Sequence, residues 1–132
     1  MTDTDANALN HDVALAMGWA RRLPEADGAD EECRWLTPTG QAVFCEEGFE
    51  GLPDFCRDVM AMGYLMEWAG GRKNFCVILD NAKKYHPSIW KADIGGTDNN
   101  DKDFYGHGDT AGEAFCKAIL EYVQHVKREA TQ

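Results

Sequence analysis

Residues 109–127 read DTAGEAFCKAILEYVQHVK, and this stretch decides much of the fold. Its apolar residues recur every three or four positions, the spacing of a helix face that turns toward a core. Thr110 stands just before the first apolar residue of the stretch, and Glu113 follows Thr110 by three residues. This spacing is the pattern of a capping box. Lys127 and Arg128 suit the negative end of the helix dipole, so we expect a helix from Thr110 to about Lys127. The apolar stripe consists of Ala111, Ala114, Phe115, Ala118, Ile119, Tyr122 and Val126.

Three runs rich in β-forming residues precede this helix: Tyr64–Trp68, Asn74–Asp80 and Ser88–Ile94. The second run is apolar on both alternating faces, which predicts a central strand, and the third has one apolar and one mixed face. Between the first two runs, the pair Gly70–Gly71 is typical of a hairpin loop that needs positive φ. Together the three runs predict an antiparallel meander.

The N-terminal half predicts two more helices. Apolar residues at helical spacing indicate a helix over Ala6–Met17, with Asp5 as its N-cap and Gly18 just after its end. Pro53 is well placed as the first residue of a second helix, which Gly63 would close. Each helix carries apolar residues on one side, so both are expected to pack on the core.

A turn sequence, Thr37–Gly40, lies between two short apolar runs in Cys33–Phe44 and predicts a hairpin. The expected order of elements is therefore α-(ββ)-α-β-β-β-α. We expect an α+β fold in which three helices pack on a small antiparallel sheet of three or more strands. The 132 residues suit one sandwich-like domain over residues 1–132.

The charge balance limits the functions that the chain can have. It contains 23 acidic and 13 basic residues, a net charge of -10, and its pI is near 4.7. This disfavours non-specific binding to nucleic-acid phosphates or to an anionic membrane. No run approaches the roughly 20 apolar residues that span a bilayer. The first residues are acidic, whereas a secretory signal begins with basic ones, so we expect an intracellular protein.

The cysteines give no sign of a disulfide framework. Their number is odd, and they form neither a CxxC pair nor a repeated spacing, which also argues against a zinc knuckle. We expect reduced and mostly buried thiols, with a cysteine nucleophile as the alternative. The five residues are Cys33, Cys45, Cys56, Cys76 and Cys116.

Motifs that carry catalysis are absent. Ser88 is the only serine and lies outside any GxSxG turn, and no phosphate-binding glycine loop occurs. The four histidines, His11, His86, His107 and His125, have no metal-ligand spacing.

The polar segment Gly95–Gly108 invites comparison with a calcium loop. The comparison fails because a loop starting at Asp98 would need glycine and glutamate where Asp103 and Asp109 stand.

His107 beside Asp109 resembles an oriented base, although an Asp before an apolar helix also serves as a cap. We expect a protein that is not an enzyme and that has no metal and no cofactor.

The two ends of the chain resemble the phage ABA-sandwich domain family. Residues 12–19, DVALAMGW, resemble its first helix, which ends in a Met-Gly-Trp type motif, and residues 108–120, GDTAGEAFCKAIL, resemble its closing helix. The middle of the chain does not align with that family. The resemblance implies a small α/β protein encoded by a phage or prophage, and it brings no common activity or catalytic residues.

Acidic residues concentrate in two segments, and we call them the acidic set. Carboxylates spread over one face can imitate phosphates and occupy a basic nucleic-acid groove on another protein. The alternative is a pair of solvated loops that serve solubility. The set consists of Glu25, Asp27, Asp30, Glu31, Glu32, Glu46, Glu47 and Glu50.

Charge is inverted over residues 72–91, which hold five basic residues and only one acid, Asp80. Aromatic residues lie among the lysines, a pattern that suits a nucleotide or an acidic protein surface. The alternative is that Lys83 and Lys84 solubilise a loop while Trp90 fills the core. The candidate ligand-binding residues, the basic set, are Arg72, Lys83, Lys84, Tyr85, His86 and Trp90.

These features together predict a phage- or prophage-encoded binding protein in the cytoplasm of the host cell. We expect it to inhibit a bacterial antiviral defence system, such as a CRISPR effector, through the acidic set. The expected partner is a host defence protein with a basic nucleic-acid channel, without direct binding to nucleic acid or membrane. The alternatives are a sponge that sequesters a nucleotide immune signal at the basic set and an accessory phage protein with no defence role.

Overall fold

A computed structural model describes residues 2–22, 34–45, 51–71, 75–81, 90–96 and 103–130. In chain order they form α1 (Asp3–Ala16), β1 (Ala20–Arg22), β2 (Arg34–Leu36), β3 (Ala42–Val43), a 3-10 turn (Val59–Ala61), α2 (Met62–Gly70), β4 (Phe75–Asn81), β5 (Trp90–Gly96), β6 (Phe104–Gly108) and α3 (Ala111–Ala130). The predicted α+β class with three helices is confirmed. The strands form two three-stranded antiparallel sheets, β1-β2-β3 and β4-β5-β6, instead of one.

Helix α3 begins as the capping pattern predicts. The Thr110 hydroxyl accepts the Glu113 N–H at 3.0 Å, and the Glu113 carboxylate accepts the Asp109 N–H at 2.8 Å. A side-chain cap of this kind stabilises a helix by about 1 kcal/mol. The helix packs across β5 and β6 and also contacts α1. Its fully buried residues are Ala114, Phe115, Cys116, Ala118 and Ile119.

A glycine in β6 lets this helix approach the sheet very closely. A Cβ on Gly106 would lie 2.5 Å from the backbone nitrogen of Ala118 and would also collide with the Ala114 carbonyl oxygen. Both obstacles are helix backbone, which cannot rotate away as a side chain can. Any larger residue at position 106 must therefore push α3 off the sheet.

The predicted antiparallel meander is present, but one of its three strands is a different segment of the chain. β5 pairs with both β4 and β6, so β5 is the central strand. The prediction that Asn74–Asp80 is central was wrong: β4 is at an edge, and its Ile78 is 55% exposed. The third strand is Phe104–Gly108, in a segment whose polar composition predicts a loop. The single apolar face predicted for β5 is confirmed, because Ala92 and Ile94 are fully buried.

Tyr64–Trp68 was predicted to be a strand, but it lies in α2. Leu65 and Ala69, four residues apart, are buried, and this is helical spacing. The aromatic content of the run suggested a strand, whereas its burial follows a helix period. The predicted hairpin loop at Gly70–Gly71 is also wrong, since these residues end α2 and Gly71 has φ -78°.

Helix α1 starts before its predicted cap. The Thr2 side chain accepts the Asp5 N–H at 3.1 Å, so Thr2 is the N-cap and Asp5 lies in the first turn. Gly18 has φ +86°, as its predicted position after the helix requires. The predicted hairpin is confirmed as β2 and β3, and β1 adds a third strand that the sequence did not indicate.

The helix predicted from Pro53 is wrong because other parts of the chain bond this backbone. The Asn10 side chain is 4% exposed; its Oδ1 accepts the Cys56 N–H at 3.1 Å and its Nδ2 donates to Asp54 at 2.9 Å. The Thr110 hydroxyl donates to the Cys56 carbonyl. Residues 52–58 thus run as a non-helical segment, bonded to α1 on one side and to the start of α3 on the other.

One buried core draws on all three helices and both sheets. Its fully buried members include Val13 of α1, Trp35 of β2, Leu65 of α2, Ile94 of β5 and Phe115 of α3. Burying side chains of this size contributes about 1.5 to 3 kcal/mol each. Among the described helices, none is long and apolar enough to cross a membrane.

Replacing Gly106 by alanine is expected to lower the free energy of unfolding by about 2 kcal/mol or more, because the Cβ overlaps the backbone of α3. Gly63→Ala is the matched control. Nothing lies within 4 Å of a Cβ at this helical position, so alanine should be neutral or stabilise by up to about 1 kcal/mol. Urea denaturation measures both variants, and equal stabilities would contradict the close packing of α3 on β6.

Asp54 is expected to make stability depend on acid pH. Burial raises the pKa of Asp54, but hydrogen bonds from Asn10 and Arg57 outweigh burial, and the pKa lies below its usual value of 3.8. Ionised Asp54 therefore stabilises the fold above about pH 4, and this contribution is lost as pH falls through the lowered folded-state pKa.

Asp54→Asn should therefore cost up to about 1 kcal/mol near neutral pH, because the ion pair with Arg57 is partly exposed. Its difference from the wild type should shrink when urea titrations are repeated below about pH 4. Asp80→Asn, at an exposed carboxylate of β4, controls for the loss of one negative charge. A difference that stays constant down to about pH 3 would count against this account.

Candidate functional site

All eight residues of the acidic set lie in segments 23–33 and 46–50, outside the residues that the structure describes. Their points of attachment are described. Arg22 pairs with Arg34, and Trp35 with Val43, so the end of β1, the start of β2 and the end of β3 are neighbours. The Cys45 N–H donates to the Gly51 carbonyl at 2.8 Å and closes the base of segment 46–50. Both acidic segments therefore attach at the same end of the β1-β2-β3 sheet.

Five of the six residues in the basic set, Arg72, Lys83, Lys84, Tyr85 and His86, also lie outside the described residues. The sixth, Trp90, begins β5 and is partly buried against the core. Lys91 points to the opposite face of the sheet, where its ammonium lies 4.4 Å from the centre of the Tyr105 ring. Trp90 and Lys91 therefore lie on opposite faces of the sheet. Trp90 packs against the core, in line with the alternative interpretation of the basic set.

Two of the three described histidines lie against aromatic rings. His11 meets the edge of Trp35 with ring centres 5.6 Å apart, and His125 lies 5.0 Å from Phe104. His107 is exposed on β6, and Asp109 takes part in the capping of α3. No group of three His, Cys, Asp or Glu residues within the described ranges is arranged to hold a metal ion.

Cys116 has the wrong environment for a nucleophile. A hydrogen bond with Cys56 and burial both raise the pKa of Cys116 well above its usual value, so the unreactive thiol form predominates. Cys56 and Cys116 are free and buried, and Cys45 is free and partly exposed. The reduced state of the thiols stays a prediction, and Cys33 and the side chain of Cys76 lie outside the described residues.

The outer face of the β4-β5-β6 sheet carries a mixed polar and apolar surface. Ile78, Asp93 and Tyr105 are register partners across the three strands, and Tyr105 is 44% exposed. Burial and the nearby Asp103 carboxylate raise the pKa of Asp93, against the opposing effect of Lys91. Asp80 and Lys91 are register partners on the same face, so the face combines several carboxylates, one ammonium and exposed apolar area with which another molecule could make contact.

A cleft of about 260 Å³ lies where the end of α1, the turn between β2 and β3, and α2 meet. Three aromatic rings belong to it. Trp19 contacts Tyr64 edge to face at 5.3 Å and Phe55 at 5.4 Å, and Trp68 contacts Tyr122 at 5.8 Å. The cleft is lined by Met17, Trp19, Thr37, Pro38, Thr39, Tyr64, Glu67, Trp68 and Gly71.

The elements around the cleft hold it in shape. Gly18, in the left-handed region, turns the chain after α1 and places Trp19, which is 6% exposed. The Thr37 and Thr39 hydroxyls are hydrogen bonded to each other at 2.9 Å and tighten the turn on the other side. Such concave sites lined by aromatic side chains with few polar groups are typical of ligand binding.

This cleft was not predicted from the sequence. Tyr64 and Trp68 lie four residues apart on α2, and that spacing was the available signal. The prediction of a strand over these residues concealed that spacing, and nothing in the sequence connects Trp19 or Pro38 to them.

No family model, curated protein or solved structure matches the chain.

Cys116 is expected to resist alkylation in the native protein, because burial covers it and its raised pKa keeps it protonated. The comparator is Cys45, which is partly exposed and should be labelled. Brief treatment with iodoacetamide, followed by peptide mass spectrometry, measures both, and labelling in urea checks that each peptide is detected. Rapid native labelling of Cys116 would show that the site is open.

Proposed function

We propose that the protein acts by binding, as a phage- or prophage-encoded inhibitor of a bacterial antiviral defence protein. The partner is one whose nucleic-acid channel is basic, such as a CRISPR effector. The acidic set supplies the contact surface, and the protein works in the cytoplasm of the host cell. It binds neither nucleic acid nor membrane directly, because a net charge of -10 opposes both.

The position of the acidic segments carries this proposal. Segments 23–33 and 46–50 together hold eight carboxylates, and both attach at the same end of one small sheet. Their bases are held by the pairing of Arg22 with Arg34 and by the hydrogen bond between Cys45 and Gly51. Acidic segments that attach at one end of a sheet concentrate negative charge near that end, and a basic channel attracts such charge.

The chemistry of the described residues supports binding over catalysis. The Cys116 thiol is buried and held in its protonated form, and His11 and His125 lie against aromatic rings. Nucleophilic catalysis requires an activated nucleophile, which usually lies within hydrogen-bond reach of a base. The resemblance of the chain ends to a phage family supports the proposed origin.

The nucleotide-sponge alternative has less support. Trp90, the aromatic residue that would stack on a base, packs against the core, and Lys91 lies on the other face of the sheet. A sponge would have to rely on the remaining members of the basic set. The test below separates this alternative from the inhibitor.

Charge reversal tests the proposal. Changing Glu25, Asp27, Glu31 and Glu32 to lysine should slow association with the effector by about tenfold or more, because long-range attraction governs the association rate. Raising the salt concentration should weaken wild-type binding, since charges are screened beyond about 8 Å at physiological ionic strength. The control reverses four exposed acids elsewhere: Asp12, Asp80, Asp103 and Glu121. It changes the net charge equally and should have the smaller effect.

The measurement uses surface plasmon resonance on a panel of purified, guide-loaded CRISPR effectors, with DNA-binding competition as the functional readout. Equal effects of the two quadruple variants would contradict a role for the acidic set beyond net charge. Calorimetry with cyclic and linear nucleotides tests the sponge. Nucleotide binding that is lost when Lys83 and Lys84 become alanine would replace the inhibitor by the sponge.

A further inference from the structure

We propose that the aromatic cleft between the end of α1, the β2–β3 turn and α2 binds a trimethylammonium group. The group would be part of a small organic cation or of a methylated lysine side chain. This inference uses no residue of the acidic set and stands independently of the function proposed above. Four properties of the cleft support it: its rings, its charge, its few side-chain acceptors and its rigidity.

The rings provide the main attraction. Trp19, Tyr64 and Trp68 all line the same cleft. Aromatic faces carry negative potential and attract cations, and tryptophan does so most strongly. Two tryptophans and one tyrosine around a cavity of about 260 Å³ match the aromatic cages that recognise quaternary ammonium groups.

The charge of the lining selects a cation. Of the nine described residues around the cleft, Glu67 is the only charged one, and its carboxylate adds to the negative potential of the rings. The net charge of -10 also favours the approach of a positive ligand. The same carboxylate disfavours phosphate groups, so the cleft does not suit a nucleotide.

Besides the Glu67 carboxylate and the Tyr64 hydroxyl, the described side chains of the lining offer only hydroxyls that are already bonded, which favours a methylated cation over a simple ammonium. A lysine-type ammonium has three N–H groups to satisfy. The Thr37 and Thr39 hydroxyls are bonded to each other, and Thr37 also accepts the Gln41 N–H at 3.2 Å. A trimethylammonium group needs no acceptors, and its methyl groups can pack against Met17 and Pro38.

The cleft walls are held in place before any ligand arrives. Trp19 is fixed by its edge contacts with Phe55 and Tyr64, and Trp68 by its contact with Tyr122. A Cβ at Gly18 would lie 3.2 Å from Pro38, so the two sides of the cleft are close-packed at this point. A preformed site loses little conformational entropy on binding, which favours recognition of a small ligand.

The test compares choline with 3,3-dimethylbutan-1-ol, its uncharged isostere. Choline should shift the indole N–H resonances of Trp19 and Trp68 and leave those of Trp35 and Trp90, which do not line the cleft, unchanged. The isostere should bind about tenfold more weakly, because it lacks the attraction between the cation and the rings. A peptide with one trimethyllysine provides the second comparison. If it binds more tightly than choline, the trimethylammonium group belongs to a protein side chain; if it binds more weakly, the group belongs to a free small molecule.

Glu67 supplies the matched variants, since it is exposed on α2 and its replacement should leave folding intact. Glu67→Gln should weaken choline about fivefold without changing the isostere, and Glu67→Lys should abolish choline binding. Glu121→Gln and Glu121→Lys make the same changes at an exposed position of α3 and should have no effect. Melting temperatures check that all four variants fold.

Three results would overturn the proposal. The first is the absence of any resonance shift at about 10 mM choline, a concentration that would detect even very weak binding. The second is equal binding of choline and its isostere, which would make the cleft merely apolar. The third is equal loss of binding in the Glu67 and Glu121 variants, which would reduce the effect to net charge.

Discussion

The backbone of Cys56 is hydrogen bonded from two directions, and much of the remaining structure depends on this arrangement. Its N–H donates to Asn10 of α1, and its carbonyl accepts the Thr110 hydroxyl at the start of α3. A buried backbone group left without a partner costs about 1 to 3 kcal/mol, so these bonds hold a non-helical segment between two helices. Gly112 permits this closeness, because a Cβ there would meet the carbonyl of Cys56 at 2.8 Å.

Phe55 connects the hydrogen-bonded segment around Cys56 to the cleft. It is fully buried beside the anchored Cys56, and its ring contacts Trp19 at 5.4 Å and Tyr64 at 6.2 Å. Edge-to-face contacts of this kind add about 0.5 to 1.5 kcal/mol beyond the area that they bury. The position of segment 52–58 therefore fixes the orientation of two of the three rings in the cleft, although the segment itself does not line it.

The β1-β2-β3 sheet separates the two proposed binding regions. The turn between β2 and β3 lies at one end of the sheet and lines the cleft through Thr37, Pro38 and Thr39. Both acidic segments attach at the opposite end. A small sheet packed on a shared core can thus present a concave aromatic site and a strongly acidic region without either one disturbing the other.

The sequence by itself determined the elements whose signals are local. The stripe and cap of α3, the alternation of β5 and the turn between β2 and β3 all agree with the structure, as does the α+β class. It also identified the two charged regions by composition, although the whole acidic set and five of the six residues of the basic set lie outside the described structure. Only the tertiary structure decided the path of residues 52–70, because side chains 46 and 54 positions away bond the Cys56 backbone in place of a helix. The cleft was decided in the same way: its residues come from positions 17–19, 37–39 and 64–71, and only packing on the shared core brings them together.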